Sequence, residues 1–255
     1  MSRQMVLTAL GGIPSIRIGD DLAEMIAEAL TRTEVAAADG DVLVVAQKIV
    51  SKAEGRQVWL ADVTPSDRAL ELAATANKDP RVVELILRES VEVLRCRPGV
   101  IIVEHRSGLV MANAGIDASN VEAAAGDESV LLLPLDADRS AGQLRAQLRH
   151  RLGCELGIVI NDSFGRAWRN GTIGTAIGTA GITALWDMRG LPDRNGRVLR
   201  ATEVALADEV AAAGSLLMGQ GAEGFPVIHV RGFPVSGGHG IGRDLIRDRS
   251  LDLFR

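Results

Sequence analysis

The chain has 255 residues and a mass of 27.0 kDa, with 47% hydrophobic and 24% charged side chains, the composition of a globular protein with a substantial core. Its 28 Lys and Arg against 33 Asp and Glu leave a formal charge of -5, which argues against a broad basic footprint for nucleic acid or an anionic membrane. With no Tyr, four Phe and three Trp, little is available for a base-stacking platform.

Cys96 and Cys154 form no CxxC pair, so neither a zinc site nor a disulfide scaffold is supported, and a cytoplasmic location is the default expectation. The N-terminus is too weakly apolar for a signal peptide. The longest charge-free candidate for a membrane span, Gly171 to Trp186, is shorter than the roughly 20 residues needed to cross a bilayer and is expected to be buried in the protein.

In chain order, Leu22, Met25, Ile26 and Leu30 have helical spacing within residues 20–30. The run VLVV followed by KIV predicts a buried strand that ends near Ser51-Lys52. Helices are expected from Pro65 to Ala76 and from Asp79 to Leu94, the second on the stripe Val82, Val83, Ile86, Leu87 and Val93. Val100 to Val103 and Leu109 to Ala112 flank the turn-prone HRSG and predict a hairpin. Ser140 is placed to cap a basic helix ending at Gly153, with Asp136 and Asp138 belonging to a turn and helix cap rather than to a calcium loop. Leu156 to Ile160 predicts a strand, Glu203 to Met218 a helix and Pro226 to Val230 a last strand. Gly237 to Gly242 carries Arg243 where a dinucleotide-binding loop needs its last glycine, so it is a turn.

There is no GxxxxGK[ST] and no HExxH, and Asn161 stands where a nucleophile elbow requires glycine before Ser163. What remains is an acidic and cationic constellation. Asp117 in NAGIDASN and Asp162 in NDSFGR each follow a predicted strand in a polar loop, and with the Ser163 hydroxyl they offer the oxygen ligands that a hard divalent cation takes. Lys52, Arg166 and Arg169 could surround the same cleft and meet an anionic partner, which points to phosphoryl chemistry.

The segments GIPSIRIGDDLAEMI, GDVLVVAQKIVSKAEGR, KDPRVVELILRES, NAGIDASNV, LLPLDADRSAGQLR, NDSFGRAWRNGTIGTAIGTAG and TEVALADEVAAAGSLLMG, in this order over residues 11–232, resemble the coenzyme F420-0:gamma-glutamyl ligase family. The resemblance implies an α/β chain with α+β-like mixed sheets, residues 1–255 forming one unit of two interleaved subdomains, assembled as an intertwined homodimer. It implies a GTP-dependent ligase that joins L-glutamate to the deazaflavin F420-0 through an acyl phosphate, then adds a gamma-linked glutamate, with Mg²⁺ or Mn²⁺ and with K⁺ assisting. Carried over by motif, Ile13, Pro14, Ser15, Ile16, Gln47, Lys48, Lys52, Asn120 and the loop of Met218, Gly219, Gln220, Gly221, Ala222, Glu223, Gly224 and Phe225 match nucleotide-binding positions. Asp117, Asp162 and Ser163 match metal-binding positions, and Asp117, Asp162 and Lys52 form the expected catalytic set. Gln220 also matches a metal position, but some relatives carry Glu there, and Ser163 stands where Thr is common. A GTP- or deazaflavin-binding module without catalysis is the alternative expectation.

Overall fold

In the computed structural model, which describes residues 3–117, 128–234 and 238–253, four sheets and their covering helices make a mixed α/β fold. The elements run β1 (Val6–Ala9), α1 (Leu22–Arg32), β2 (Val42–Ala46), α2 (Gln47–Ala53), β3 (Gln57–Trp59), α3 (Asp67–Ala76), α4 (Pro80–Arg88), β4 (Ser90–Arg97), β5 (Val100–His105), β6 (Val110–Ala112) and β7 (Ser129–Leu131). They continue through α5 (Ala137–Leu152), β8 (Gly157–Arg166), β9 (Arg169–Ala180), β10 (Trp186–Asp187), β11 (Glu203–Val204), α6 (Leu206–Met218) and β12 (Val227–Arg231). Among the described residues no helix is long and apolar enough to cross a membrane.

The central sheet has the order β1-β12-β2-β8-β9, with β2 and β8 parallel and the other neighbours antiparallel. Strand alternation sorts its side chains onto two faces. Leu43, Val45, Ile158, Ile160 and Ile177 join a core with Ile26 and Leu30 of α1 and Leu144 and Leu148 of α5. Val42, Val44, Val159 and Ala176 pack on the other side with Val210 and Ala211 of α6. Because both faces are covered, β2 reads as a continuous apolar run rather than an alternating one. A second sheet, β4-β5-β6, is covered by α3 and α4 through Leu72, Ala73, Val83 and Ile86. The short β3-β7 pair lies between the layers, its Val130 packing with Leu60 and Leu85.

Several expectations hold, including α1, α3, α6, β12 and the β5-β6 hairpin. Others are corrected. The apolar run after β2 turns into α2 at Gln47, so the predicted strand stops five residues early. The helix begun at Asp79 ends at Arg88, and Val91 and Val93 belong instead to β4, where β-branched side chains fit the pleat. Asp136 rather than Ser140 caps α5, its carboxylate accepting from the Arg139 N–H at 3.0 Å, while Ser140 lies inside the first turns and donates to the Asp136 carbonyl at 2.9 Å. Gly153, with φ of 71°, ends the helix in the left-handed conformation that glycine adopts without penalty. NDSFGR extends β8 instead of forming a loop after it, and the first part of the 171–186 run stands exposed at the end of the β8-β9 hairpin. Part of the 237–242 turn lies outside the described residues; beyond it, Asp138 accepts from the N–H groups of Thr179 and Gly242 at 2.8 and 2.6 Å and ties the tail to β9.

At the far end of β2 from the acidic motifs, buried Asp41 ties the start of β2 to β12. Its carboxylate meets His229 Nε2 at 2.8 Å and the Arg231 guanidinium at 2.6 and 3.1 Å, and it accepts from the Ala38 N–H at 2.9 Å. Burial alone would disfavour its charge, but the bonds from Arg231 and His229 outweigh that and hold its pKa below the usual carboxylate value. Asp41→Ala leaves a buried histidine and an arginine without their shared acceptor, and urea denaturation should show a loss of about 3 kcal/mol. Since a depressed carboxylate pKa stabilises the fold above the unfolded value and ceases to as pH falls through the folded one, the wild-type advantage over Asp41→Ala should shrink on acidification below about pH 4.

Candidate active site

Parallel pairing of β2 with β8 ends with Ala46 opposite Asn161, so α2 departs from the sheet beside the residue that precedes Asp162. Asp117 arrives from the end of the β4-β5-β6 sheet. It follows the turn Asn113-Ala114-Gly115, whose φ values of 52°, 54° and 67° are all left-handed, a costly conformation for the alanine. That turn is fixed from outside, because Asn113 Oδ1 accepts from the Ile101 N–H at 3.1 Å and a side chain on Gly115 would strike Leu133. Asp117 itself exchanges two backbone hydrogen bonds with Leu131, at 3.0 and 2.8 Å.

These constraints bring Asp117, Asp162 and Ser163 to one cleft of about 160 Å³, walled by Met111, Ile116 and Phe164. Lys48, in the first turn of α2, meets the Asp117 carboxylate at 2.7 Å. Asp162 accepts from the Ser163 N–H at 2.8 Å. Its pKa is raised to about 6, chiefly because burial disfavours the charge and further because Asp117 is negative, while the Ser163 N–H and Lys48 act in the opposite direction. Asp162 is thus a buried carboxylate beside a second one, its charge only partly offset by the Ser163 N–H and Lys48.

The donor set suits a hard divalent cation: two carboxylates in one cleft, with room for water or phosphate oxygens to complete the shell. Among the described residues no cluster of three or more His, Cys, Asp or Glu occurs that could hold a metal by protein groups alone. Strand alternation directs Ser163 toward the α6 face, together with Asn161.

The other sequence-derived positions spread outward from this cleft. Gln47 is buried and accepts from Ser51 Oγ at 2.9 Å inside α2. Lys52, one turn beyond Lys48, lines a different cleft with Ile16. Ile13 packs against the main core, whereas Pro14 and Ser15 are exposed. Met218 is buried, and the loop that begins there curls around its own carboxylate, Glu223 accepting from the Gly221 N–H at 2.8 Å. Gln220 donates to Ser215 Oγ at 3.1 Å, and Phe225 closes the loop against the position where Gly11 leaves no side chain. Asn120 lies outside the described residues. Arg166 and Arg169 sit at the exposed end of the β8-β9 hairpin and do not line the acidic cleft, where Lys48 pairs with Asp117.

Sequence reasoning missed Asn161. Its amide donates to Met218 Sδ at 3.4 Å, linking the strand that carries Asp162 to the start of the 218–225 loop, and its Oδ1 is buried without a hydrogen-bond partner. No spacing signal marks it.

The F420-0:Gamma-glutamyl ligase family matches residues 12–232 of the chain. The chain belongs to this family. It is 44% identical to the coenzyme F420:L-glutamate ligase of Methanothermobacter thermautotrophicus over 98% of both chains. It is also 44% identical to the enzymes of that name from Methanopyrus kandleri, covering 96% of this chain and 100% of the relative, and from Archaeoglobus fulgidus, covering 96% and 94%.

Because the folded Asp162 titrates near pH 6 and an ordinary aspartate near 3.8, the folded state holds a proton that the unfolded chain releases, and ionisation above pH 6 costs stability. Asp162→Asn should therefore raise the melting temperature in metal-free buffer at pH 7.5, with the gain fading as the pH falls from about 6 and gone below about pH 4. A lower melting temperature for the variant at pH 7.5 would contradict this electrostatic account.

Proposed function

We propose that the chain is a GTP-dependent ligase that adds L-glutamate to the carboxylate of the deazaflavin F420-0, and then a gamma-linked glutamate to the product. Family membership and the names of the relatives support the substrates. The observation that carries the chemistry is the meeting of Asp117, Asp162 and Lys48 in one cleft, since charge-neutralising groups are the main requirement of phosphoryl transfer.

A carboxylate is a poor acylating agent. In the proposed route an F420-0 carboxylate oxygen attacks the γ-phosphorus of GTP and GDP leaves; the glutamate amine then attacks the acyl carbon, losing a proton as phosphate departs. Asp117 and Asp162 would hold Mg²⁺ or Mn²⁺, which when bound supplies electrostatic screening of the phosphates. Lys48 pairs with Asp117 at the cleft, and Lys52 places a second positive charge one helical turn along α2. The walls of Met111, Ile116 and Phe164 limit water at the reacting end. The 218–225 loop and the Ile13–Ile16 segment complete the nucleotide site, with K⁺ as an assisting ion.

The working unit is proposed to be a homodimer, which a light-scattering mass of 27.0 kDa across micromolar concentrations would contradict. A non-catalytic binding module is the weaker alternative, because mere ligand recognition gives no reason to place two carboxylates in one cleft with one of them buried.

Incubation with F420-0, GTP, glutamate and Mg²⁺ or Mn²⁺ should yield GDP, phosphate and products heavier by one and then two glutamyl residues by mass spectrometry. Asp117→Ala and Asp162→Ala should each lower turnover by about 100-fold or more, since removal of one electrostatic stabiliser of a transition state commonly costs that much. Binding of GTP and F420-0 without any glutamylated product would reject the ligase proposal.

Gln220 has an amide oxygen that remains available beside its bond to Ser215. A neutral oxygen can coordinate a hard cation but adds no charge attraction. Gln220→Glu is thus expected to lower the metal concentration for half-maximal rate while changing the saturated rate less; superimposable metal titrations would remove this side chain from the metal site.

A further inference from the structure

A cleft of about 200 Å³ opens on the other side of β6 from the acidic site, and none of the nucleotide or metal positions lines it. Val110 and Met111 are successive residues of that strand, so their side chains leave it in opposite directions: Met111 walls the acidic cleft and Val110 this one. From β9 the cleft takes Thr175, the register partner of Asp162. Cross-strand partners lie about 5 Å apart, so the two clefts are close neighbours.

The third wall is the 245–252 segment, which is held at both ends. Just before it, Asp138 accepts from the Gly242 N–H at 2.6 Å and from the Arg243 N–H at 3.2 Å. Within it, the Arg249 guanidinium meets Glu92 at 2.6 Å and Glu104 at 3.2 Å, and Ile246 packs over Gly108, whose φ of 92° favours glycine.

The charged groups around this space are Asp208, from the first turn of α6, and Arg247 and Asp252 of the segment. Asp208 accepts from the Ala176 N–H at 2.9 Å, which leaves its second oxygen without a hydrogen bond or ion pair among the described residues. Burial outweighs that single bond and raises its pKa above the usual carboxylate value. A cation reaching Asp208 from the cleft supplies the missing partner. Acids and a base facing one small space match a zwitterion the size of a single amino acid. A polyphosphate would meet two carboxylates here, and a tricyclic ring would find no aromatic wall.

We infer that this cleft is the subsite for L-glutamate, with Asp208 holding its amine and Arg247 facing its carboxylates. On the proposed ligase reading, on which this rests, the amine has to reach an acyl carbon activated at the acidic cleft. Held at Asp208 it lies beside β9, the strand paired with the one that carries Asp162.

Steady-state kinetics of two variants test the assignment. Asp208→Asn keeps an oxygen for the Ala176 N–H and removes the charge, so it should raise the KM for glutamate at least about tenfold and leave the KM values for GTP and F420-0 within twofold. Glutarate, which has both carboxylates and no amine, should inhibit wild type and Asp208→Asn with inhibition constants within twofold of each other. Val110→Phe fills the cleft from the opposite wall without touching the carboxylate, and should weaken glutamate and glutarate alike; it decides the matter if Asp208→Asn fails to fold. An unchanged KM for glutamate in either folded variant overturns the inference and leaves the ligase proposal standing. So does a rise confined to the KM for F420-0, which would give the cleft to the acceptor. Glutarate weakened in parallel with glutamate by Asp208→Asn would reduce Asp208 to a structural group and also overturn it. Absence of any glutamylated product from wild type would remove both the inference and the ligase reading.

Discussion

The parallel contact between β2 and β8 determines what else the fold can present. Five residue pairs, from Val42 opposite Gly157 to Ala46 opposite Asn161, run through the middle of the central sheet, and helices cover both of its faces. Parallel strands end on the same edge. Here that edge releases α2 with Lys48 on one side and continues as β8 with Asp162 on the other, so a cation and a buried carboxylate become neighbours by topology. The position agrees with the general tendency of ligand sites to form beyond the carboxyl ends of parallel strands.

The third member of the cleft comes from a separate layer. Asp117 is delivered by the β4-β5-β6 sheet, and its placement depends on a left-handed turn with an alanine at its centre, on Gly115 pressed against Leu133, and on a two-bond bridge to Leu131. Strain at the turn and charge repulsion between Asp117 and Asp162 both oppose folding. They are offset elsewhere, by the two apolar cores of the central sheet and by ion pairs such as that of Asp41 with Arg231 at its opposite end. The molecule therefore separates a stabilising polar cluster at one end of β2 from a destabilising one at the other, and the latter lines a cleft.

Much of this was legible in the sequence where one signal dominated. The amphipathic stripe of α1, the glycine stop of α5 and the turn between β5 and β6 each rest on local chemistry that the tertiary structure does not oppose. The failures occur where a second signal competes. Ile49 and Val50 have strand-like side chains, yet they fall in α2 because the sheet ends at Ala46 and their burial against the main core is reached from a helix. Val93 keeps helical spacing with Ile86, but after Arg88 the chain enters the antiparallel pairing of β4 with β5. The polar run of NDSFGR resembles a loop, but pairing with β9 satisfies its backbone and makes it a strand. The acidic pair was legible because both motifs follow apolar runs. Its lysine partner Lys48 was named only by family resemblance, as a nucleotide position, and the strand assignment of KIV hid its i,i+4 relation to Lys52.

That helical relation gives the site its direction. Had residues 47–52 continued as a strand, side chains at 48 and 52 would lie about 13 Å apart, at roughly 3.3 Å per residue, too far apart to share one phosphate chain closely. As α2 they are one turn apart, about 6 Å, on a single face. Lys48 is held at the acidic cleft by Asp117, and Lys52 opens onto the slot that contains Trp59. The helix thus connects a small, charged, partly buried cleft with a larger and more apolar one. The two lysines thereby concentrate positive charge on one helical face of a chain whose net charge is -5.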